Sequence, residues 1–125
     1  MKSYTDLEQS RKLAEFLPPE SADMCYEVGE DLDGYITKTI YTPLMHTPYN
    51  DNYIPCWSLA ALLNILNSID GWYPGIDAQV DNENLWQICM FSYETGSDIS
   101  TAAINKELVD TCYEVILKIK EKNLL

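Results

Sequence analysis

The segment that leaves this chain the fewest options runs Pro55-Cys56-Trp57-Ser58-Leu59-Ala60-Ala61-Leu62-Leu63-Asn64-Ile65-Leu66-Asn67-Ser68-Ile69, followed by Asp70-Gly71. It reads as one helix over 55–69. Proline suits a first helical turn, where its missing N–H would have no partner anyway, and Gly71 is a fitting stop past the last apolar residue. Wound at about 100° per residue, Ser58, Ala61, Asn64 or Ile65 and Ser68 make one thin stripe of small or polar side chains. The remaining circumference is apolar. A helix of that kind must be covered on several sides, which predicts a central core helix.

The flanking segments supply what covers it. Thr5-Asp6-Leu7-Glu8 fits a capping box with Thr5 as N-cap and Glu8 at the third helical position. Leu7, Leu13, Ala14 and Leu17 then share a face until Pro18-Pro19 ends the short helix. Residues 1–19 are accordingly expected to be the least anchored segment, ahead of a single α+β domain over 20–125. Met24–Val28 and Tyr35–Tyr41 are rich in strand formers, and the acidic, glycine-flanked loop between them predicts a hairpin. Residues 42–54, with Pro43, Pro48, Asn50, Asp51 and Asn52, read as loop and carry the single histidine, His46.

Beyond Gly71, Trp72–Val80 reads as a weak strand interrupted at Pro74-Gly75, and Leu85–Glu94 as a stronger one. There Trp86, Ile88 and Met90 share one face, and Leu85, Cys89, Phe91 and Tyr93 the other. Apolar residues on both faces imply either a central strand covered twice or one covered face plus an interface. Thr95-Gly96 signals a turn, with Ser97–Ala102 returning as a third strand. Asn105 can cap a last helix over 106–122, on which Leu108, Cys112, Val115 or Ile116 and Ile119 recur at helical spacing. The fold class that follows is α+β, a small, mainly antiparallel sheet packed by the 55–69 and 106–122 helices.

Charge excludes several functions. The net charge is −12, from 20 acidic and 8 basic residues. Proteins that bind nucleic acid draw most of their affinity from basic groups meeting phosphates, and anionic membranes favour the same groups, so neither partner is expected. Residues 71–99 contain Asp77, Asp81, Glu83, Glu94 and Asp98 and no basic residue at all. No apolar signal core opens the chain and no run approaches the roughly 20 residues that cross a bilayer. Cys25, Cys56, Cys89 and Cys112 are too far apart for a zinc or dithiol motif. A cytoplasmic protein with reduced, mostly buried thiols is expected.

Few residues are arranged for chemistry. Cys56, at the start of the predicted helix, is where a dipole and free N–H groups would favour a thiolate. The Cys56-Trp57 pair resembles the local papain pattern, without its preceding Cys-Gly-Ser and without a downstream histidine. The available base is His46, and no orienting acid can be nominated. A cysteine hydrolase using Cys56 and His46 is therefore an alternative to a small core cysteine. Asp77, Asp81 and Glu83, and Asp31 with Asp33, lack the fixed spacing and glycine turn of a calcium loop. No metal site and no cofactor site is expected, and no glycine-rich phosphate loop is present.

Three stretches in order, Glu20–Tyr26, Pro55–Leu63 and Val109–Ile116 leading to Asn123-Leu124-Leu125, resemble a group of small uncharacterised proteins of gut bacteria and their phages and mobile elements. In that group a Pro-x-Trp-Ser-Leu-x-x-Leu-Leu helix precedes strands and a closing helix. The resemblance spans about residues 20–125. It implies a short accessory protein of a mobile element, brings no known activity, and carries no functional residue over to this chain. Together with the acidic, tyrosine-rich composition it leads to the expectation of a non-catalytic protein that binds another protein or a second copy of itself. A DNA-mimic inhibitor, docking on a basic protein, is the further alternative.

Overall fold

The computed structural model describes residues 1–30, 36–41, 53–79, 85–96 and 98–125. It is an α+β fold with two three-stranded antiparallel sheets. The backbone divides into two compact units, residues 4–61 and residues 1–3 with 62–125. The sequence suggests a division after residue 19, whereas this one falls between Ala61 and Leu62, inside a helix.

In residues 4–61, helix α1 (Leu7–Ala14) is followed by strands β1 (Met24–Glu30), β2 (Ile36–Tyr41) and β3 (Tyr53–Cys56). The sheet order is β2-β1-β3, both pairs antiparallel, with Tyr26 opposite Ile40 on one side and Ile54 on the other. The hairpin read from the sequence is present. The capping box forms one residue later than expected: Asp6 Oδ1 accepts from the Gln9 N–H at 2.8 Å, and Gln9 Oε1 accepts from the Asp6 N–H at 3.1 Å. Thr5 is instead drawn inside, its N–H bonded to the Trp57 carbonyl at 2.9 Å, and α1 packs on β3.

The apolar run itself is a strand and then a helix. Tyr53–Cys56 pairs with β1, which an edge strand permits even though Pro55 has no N–H to give. Helix α2 spans Leu59–Asn67 only. Its start is fixed by Ser58, whose Oγ accepts from the Ala61 N–H at 3.2 Å, an N-capping geometry. Asp23 holds that serine through both carboxylate oxygens, accepting from its N–H at 2.9 Å and from its hydroxyl. Ala61, Leu62, Ile65, Leu66 and Ile69 are buried, whereas Ala60, Asn64, Asn67 and Ser68 are exposed. The helix is buried along one i, i+3, i+4 stripe rather than all round. Gly71, at φ 82°, makes the turn that follows, its position bridged by a Trp72 N–H to Ile69 carbonyl bond of 3.1 Å. A left-handed φ there favours glycine.

In residues 62–125, β4 (Trp72–Gln79), β5 (Leu85–Ser92) and β6 (Asp98–Asn105) form a sheet in that order. The β4 strand runs unbroken through Pro74 and Gly75 because it lies at an edge, where a missing N–H is tolerated. Helix α3 (Leu108–Glu121) packs on β5 and β6 with Leu108, Val109, Thr111, Cys112, Val115, Ile116 and Ile119 buried. Asn105 accepts from the Glu107 N–H at 3.4 Å, so it steadies the approach while Glu107 takes the cap position. Lys2 clasps the same end: its backbone N–H donates to Glu107 at 2.9 Å and its ammonium meets Asp110 at 2.6 Å. At the other end, bonds from Asn123 and Leu124 N–H groups to the Lys120 and Ile119 carbonyls make a Schellman motif, with Asn123 at φ 57°.

Candidate interaction surface

Strand alternation decides what β5 offers on each side. Ile88 and Met90, both 0% exposed, point toward α3. Gln87, Cys89 and Phe91 point the other way and are half-buried, and Tyr93 just beyond the strand is 72% exposed. Of the two alternatives the sequence leaves open for β5, the single covered face is the one observed. Register then adds a residue that sequence alone misses. Tyr73 of β4 lies opposite Phe91, so its ring reaches both aromatic neighbours. The Tyr73 and Phe91 centroids are 5.5 Å apart and those of Tyr73 and Tyr93 4.6 Å apart, with interplanar angles of 31° and 45°. These are tilted contacts within the range that aromatic pairs favour.

Beside this ladder is a hollow of about 220 Å³, bounded by Gly75, Ile76, Asp77, Gln87, Cys89 and Phe91. Gly75 lets the Phe91 ring lie close against the β4 backbone at its edge. A Cβ there would stand 2.5 Å from Phe91 Cε2, closer than such atoms approach, so the Phe91 ring leans over bare backbone. Phe91 and Cys89 border it, and at the far end Asp77 and Gln87 sit opposite each other across the strand pair. Gln87 Nε2 donates to Cys89 Sγ at 3.8 Å. The arrangement is apolar with two polar groups at one end, a composition suited to binding.

No family model, no curated protein and no solved structure matches the chain.

Cys56, the residue nominated from sequence for nucleophilic chemistry, is 0% exposed. It closes β3, three residues before α2 begins, and so does not occupy the helix N-terminus expected for it. Its thiol donates to the Thr5 carbonyl at 3.5 Å and accepts from Thr5 Oγ1 at 3.7 Å. The same threonine hydroxyl lies 2.7 Å from Ser10 Oγ and accepts from the Trp57 N–H at 3.2 Å, and its carbonyl also takes the Tyr26 hydroxyl at 2.7 Å. Burial pushes the Cys56 thiol and the Tyr26 phenol up, against the pull that Thr5, Ser10 and Tyr26 exert on the thiol. What this cluster does is join the N-terminal segment to β1 and β3, with each hydroxyl and thiol satisfied.

His46 lies outside the described residues, as do Asp31, Asp33, Asp81 and Glu83. Asp77 is exposed on β4. Among the described residues no group of three or more His, Cys, Asp or Glu side chains is placed to hold a metal ion. Among them, too, every buried side-chain nitrogen or oxygen has a hydrogen-bond partner, and no helix is long and apolar enough to cross a membrane.

Proposed function

We propose that this protein acts by binding another protein through the outer face of the β4-β5-β6 sheet, not by catalysis. The observation that carries the reading is the stack of Tyr73, Phe91 and Tyr93, with Tyr73 38% and Tyr93 72% exposed. Rigid aromatic side chains give large contact area at low entropic cost and are enriched where partners dock. Support comes also from the best nucleophile in the chain. The Cys56 thiol is buried, hydrogen-bonded as a donor and raised in pKa, which keeps it protonated at neutral pH, whereas a working nucleophile needs the thiolate.

The test is photocrosslinking in the source cell, with a benzophenone amino acid replacing Gln87, and compared with the same probe at Glu114 on α3. The reading expects a discrete adduct from position 87 that disappears when Tyr73 and Tyr93 are both changed to Ser. An adduct that survives those changes, or one formed equally from both positions, would remove this face from the function.

A further inference from the structure

The hollow beside the aromatic ladder has a chemistry more specific than general stickiness. The Phe91 ring, seated over Gly75, bounds it on one side, and its polar end is the Asp77 carboxylate with the Gln87 amide opposite. An aliphatic stem ending in a planar cation matches each part. The methylenes lie along apolar surface while the head reaches water and the carboxylate, and a guanidinium both stacks on aromatic rings and bonds carboxylates in a fork. Charge points the same way. The segment 71–99 carries five acids, Asp77, Asp81, Glu83, Glu94 and Asp98, with no lysine or arginine, inside a chain of net charge −12. A second copy of this chain would bring the exposed Asp77 and Asp98, which pair with the outward Gln87 and Phe91, against the same acids, which opposes self-association through this surface.

We infer that the hollow bounded by Gly75, Phe91 and Asp77 receives an arginine side chain from a basic segment of the protein partner. The inference rests on the protein-binding reading above and adds the partner's chemistry to it. The arginine stem lies in the hollow beside the Phe91 ring, its guanidinium stacks on Phe91, and Asp77 takes the far N–H groups. Tyr73 and Tyr93 hold the neighbouring residues of the partner.

The experiment uses the whole chain, isotopically labelled, titrated by NMR with a capped peptide of alternating serine and arginine. An otherwise identical peptide carries citrulline, which has nearly the same shape without the charge. The expected result is that amide signals over 73–77 and 87–93 move with the arginine peptide and not with the citrulline peptide. Asp77→Asn should weaken that binding by about three- to tenfold, the scale of a single desolvated cation contact. Glu114→Gln, an exposed charge on α3 with the same change in net charge, should leave it within about twofold. Equal binding of both peptides at this face would overturn the arginine inference while leaving the aromatic docking surface in place. Equal losses from Asp77→Asn and Glu114→Gln would overturn it in favour of diffuse charge attraction. No movement over 73–77 and 87–93 with either peptide would also overturn it, and the crosslink at position 87 would then decide the protein-binding reading separately. Dimerisation through this face by sedimentation equilibrium, abolished by Tyr93→Ser, would assign the occupant to a second copy and overturn it as well.

Discussion

The two faces of β5 differ by one step along the backbone and by almost everything else. Ile88 and Met90 are sealed beneath α3, while Cys89 and Phe91 between and after them line a hollow. The inner face is packed by aliphatic side chains from a helix whose Val109, Val115, Ile116 and Ile119 are 0% exposed. The outer face is built from rings that touch one another and leave the Gly75 backbone uncovered by any side chain of its own. Core burial is concentrated on one side of the strand, and the proposed binding surface lies on the other. Changes on the two sides should therefore separate cleanly in their effects on stability.

The largest effect belongs inside. Met90→Ala and Ile116→Ala each remove a fully buried side chain, and either should cost about 2–5 kcal/mol, transfer and cavity terms together. Leu62→Ala and Leu66→Ala on α2, also 0% exposed, fall in the same range. Urea unfolding with an unchanged slope reads this directly. A loss under about 0.5 kcal/mol for Met90→Ala, the size of an ordinary surface change, would mean that the face called inner is not core.

Alkaline pH should act next, again from inside. Burial pushes the Cys112 thiol from 9.0 up to about 12. Between those values the folded protein keeps the proton that the unfolded chain gives up, so the unfolded state binds fewer protons and stability falls as pH rises. The contribution is complete below about pH 9 and lost on approaching pH 12. Cys56 and Tyr26, both raised chiefly by burial, add to the same slope. Thermal melts from pH 8 to 11 should show a steady decline that Cys112→Ala makes shallower. A flat profile would remove the burial of these groups from the account.

Thiol labelling sharpens the comparison without any mutation. Cys25, Cys56 and Cys112 are 2%, 0% and 0% exposed, whereas Cys89 is half-buried at the hollow. A thiol-reactive dye at pH 8 should label one cysteine in the native state and four in denaturant. Peptide mapping should place the native label on Cys89. Rapid native labelling of Cys56 would contradict its burial and revive the nucleophile.

How much of this the sequence shows depends on whether a feature is local. The α+β class, the β1–β2 hairpin, the closing helix and the two-sided character of β5 are all carried by periodicity within a few residues. The apolar run at 55–69 is ambiguous, because a short greasy segment fits a buried strand as well as a buried helix. What starts α2 at Leu59 is Asp23 holding Ser58 across 35 residues, a contact no window along the chain contains. Thr5 shows the same failure, since it looks like an N-cap locally and is claimed instead by Trp57, Ser10 and Cys56. The hollow and its ladder were invisible for a related reason. They need the Tyr73–Phe91 register and a glycine at 75 over which the Phe91 ring can lie, whereas Pro74-Gly75 reads locally as a break.

The smallest effect on stability should come from the residue most exposed on the outer face. Tyr93 lies just past the end of β5, and its backbone N–H donates to the Gly71 carbonyl at 3.0 Å, a bond that any residue can supply. Its ring touches Tyr73 from one side only, at 4.6 Å between centroids. Tyr93→Ser therefore deletes a ring that is 72% exposed and keeps the backbone bond, so unfolding free energy should change by less than about 0.5 kcal/mol. Its worth in an interface would be another matter, because a tyrosine that caps a stack is desolvated only when a partner arrives. Equilibrium unfolding and the position-87 crosslink measured on the same variant read those two quantities together. A variant that keeps its stability and loses its adduct assigns the ring to recognition, and one that loses about 2 kcal/mol or more, the scale of a core deletion, assigns it to the fold.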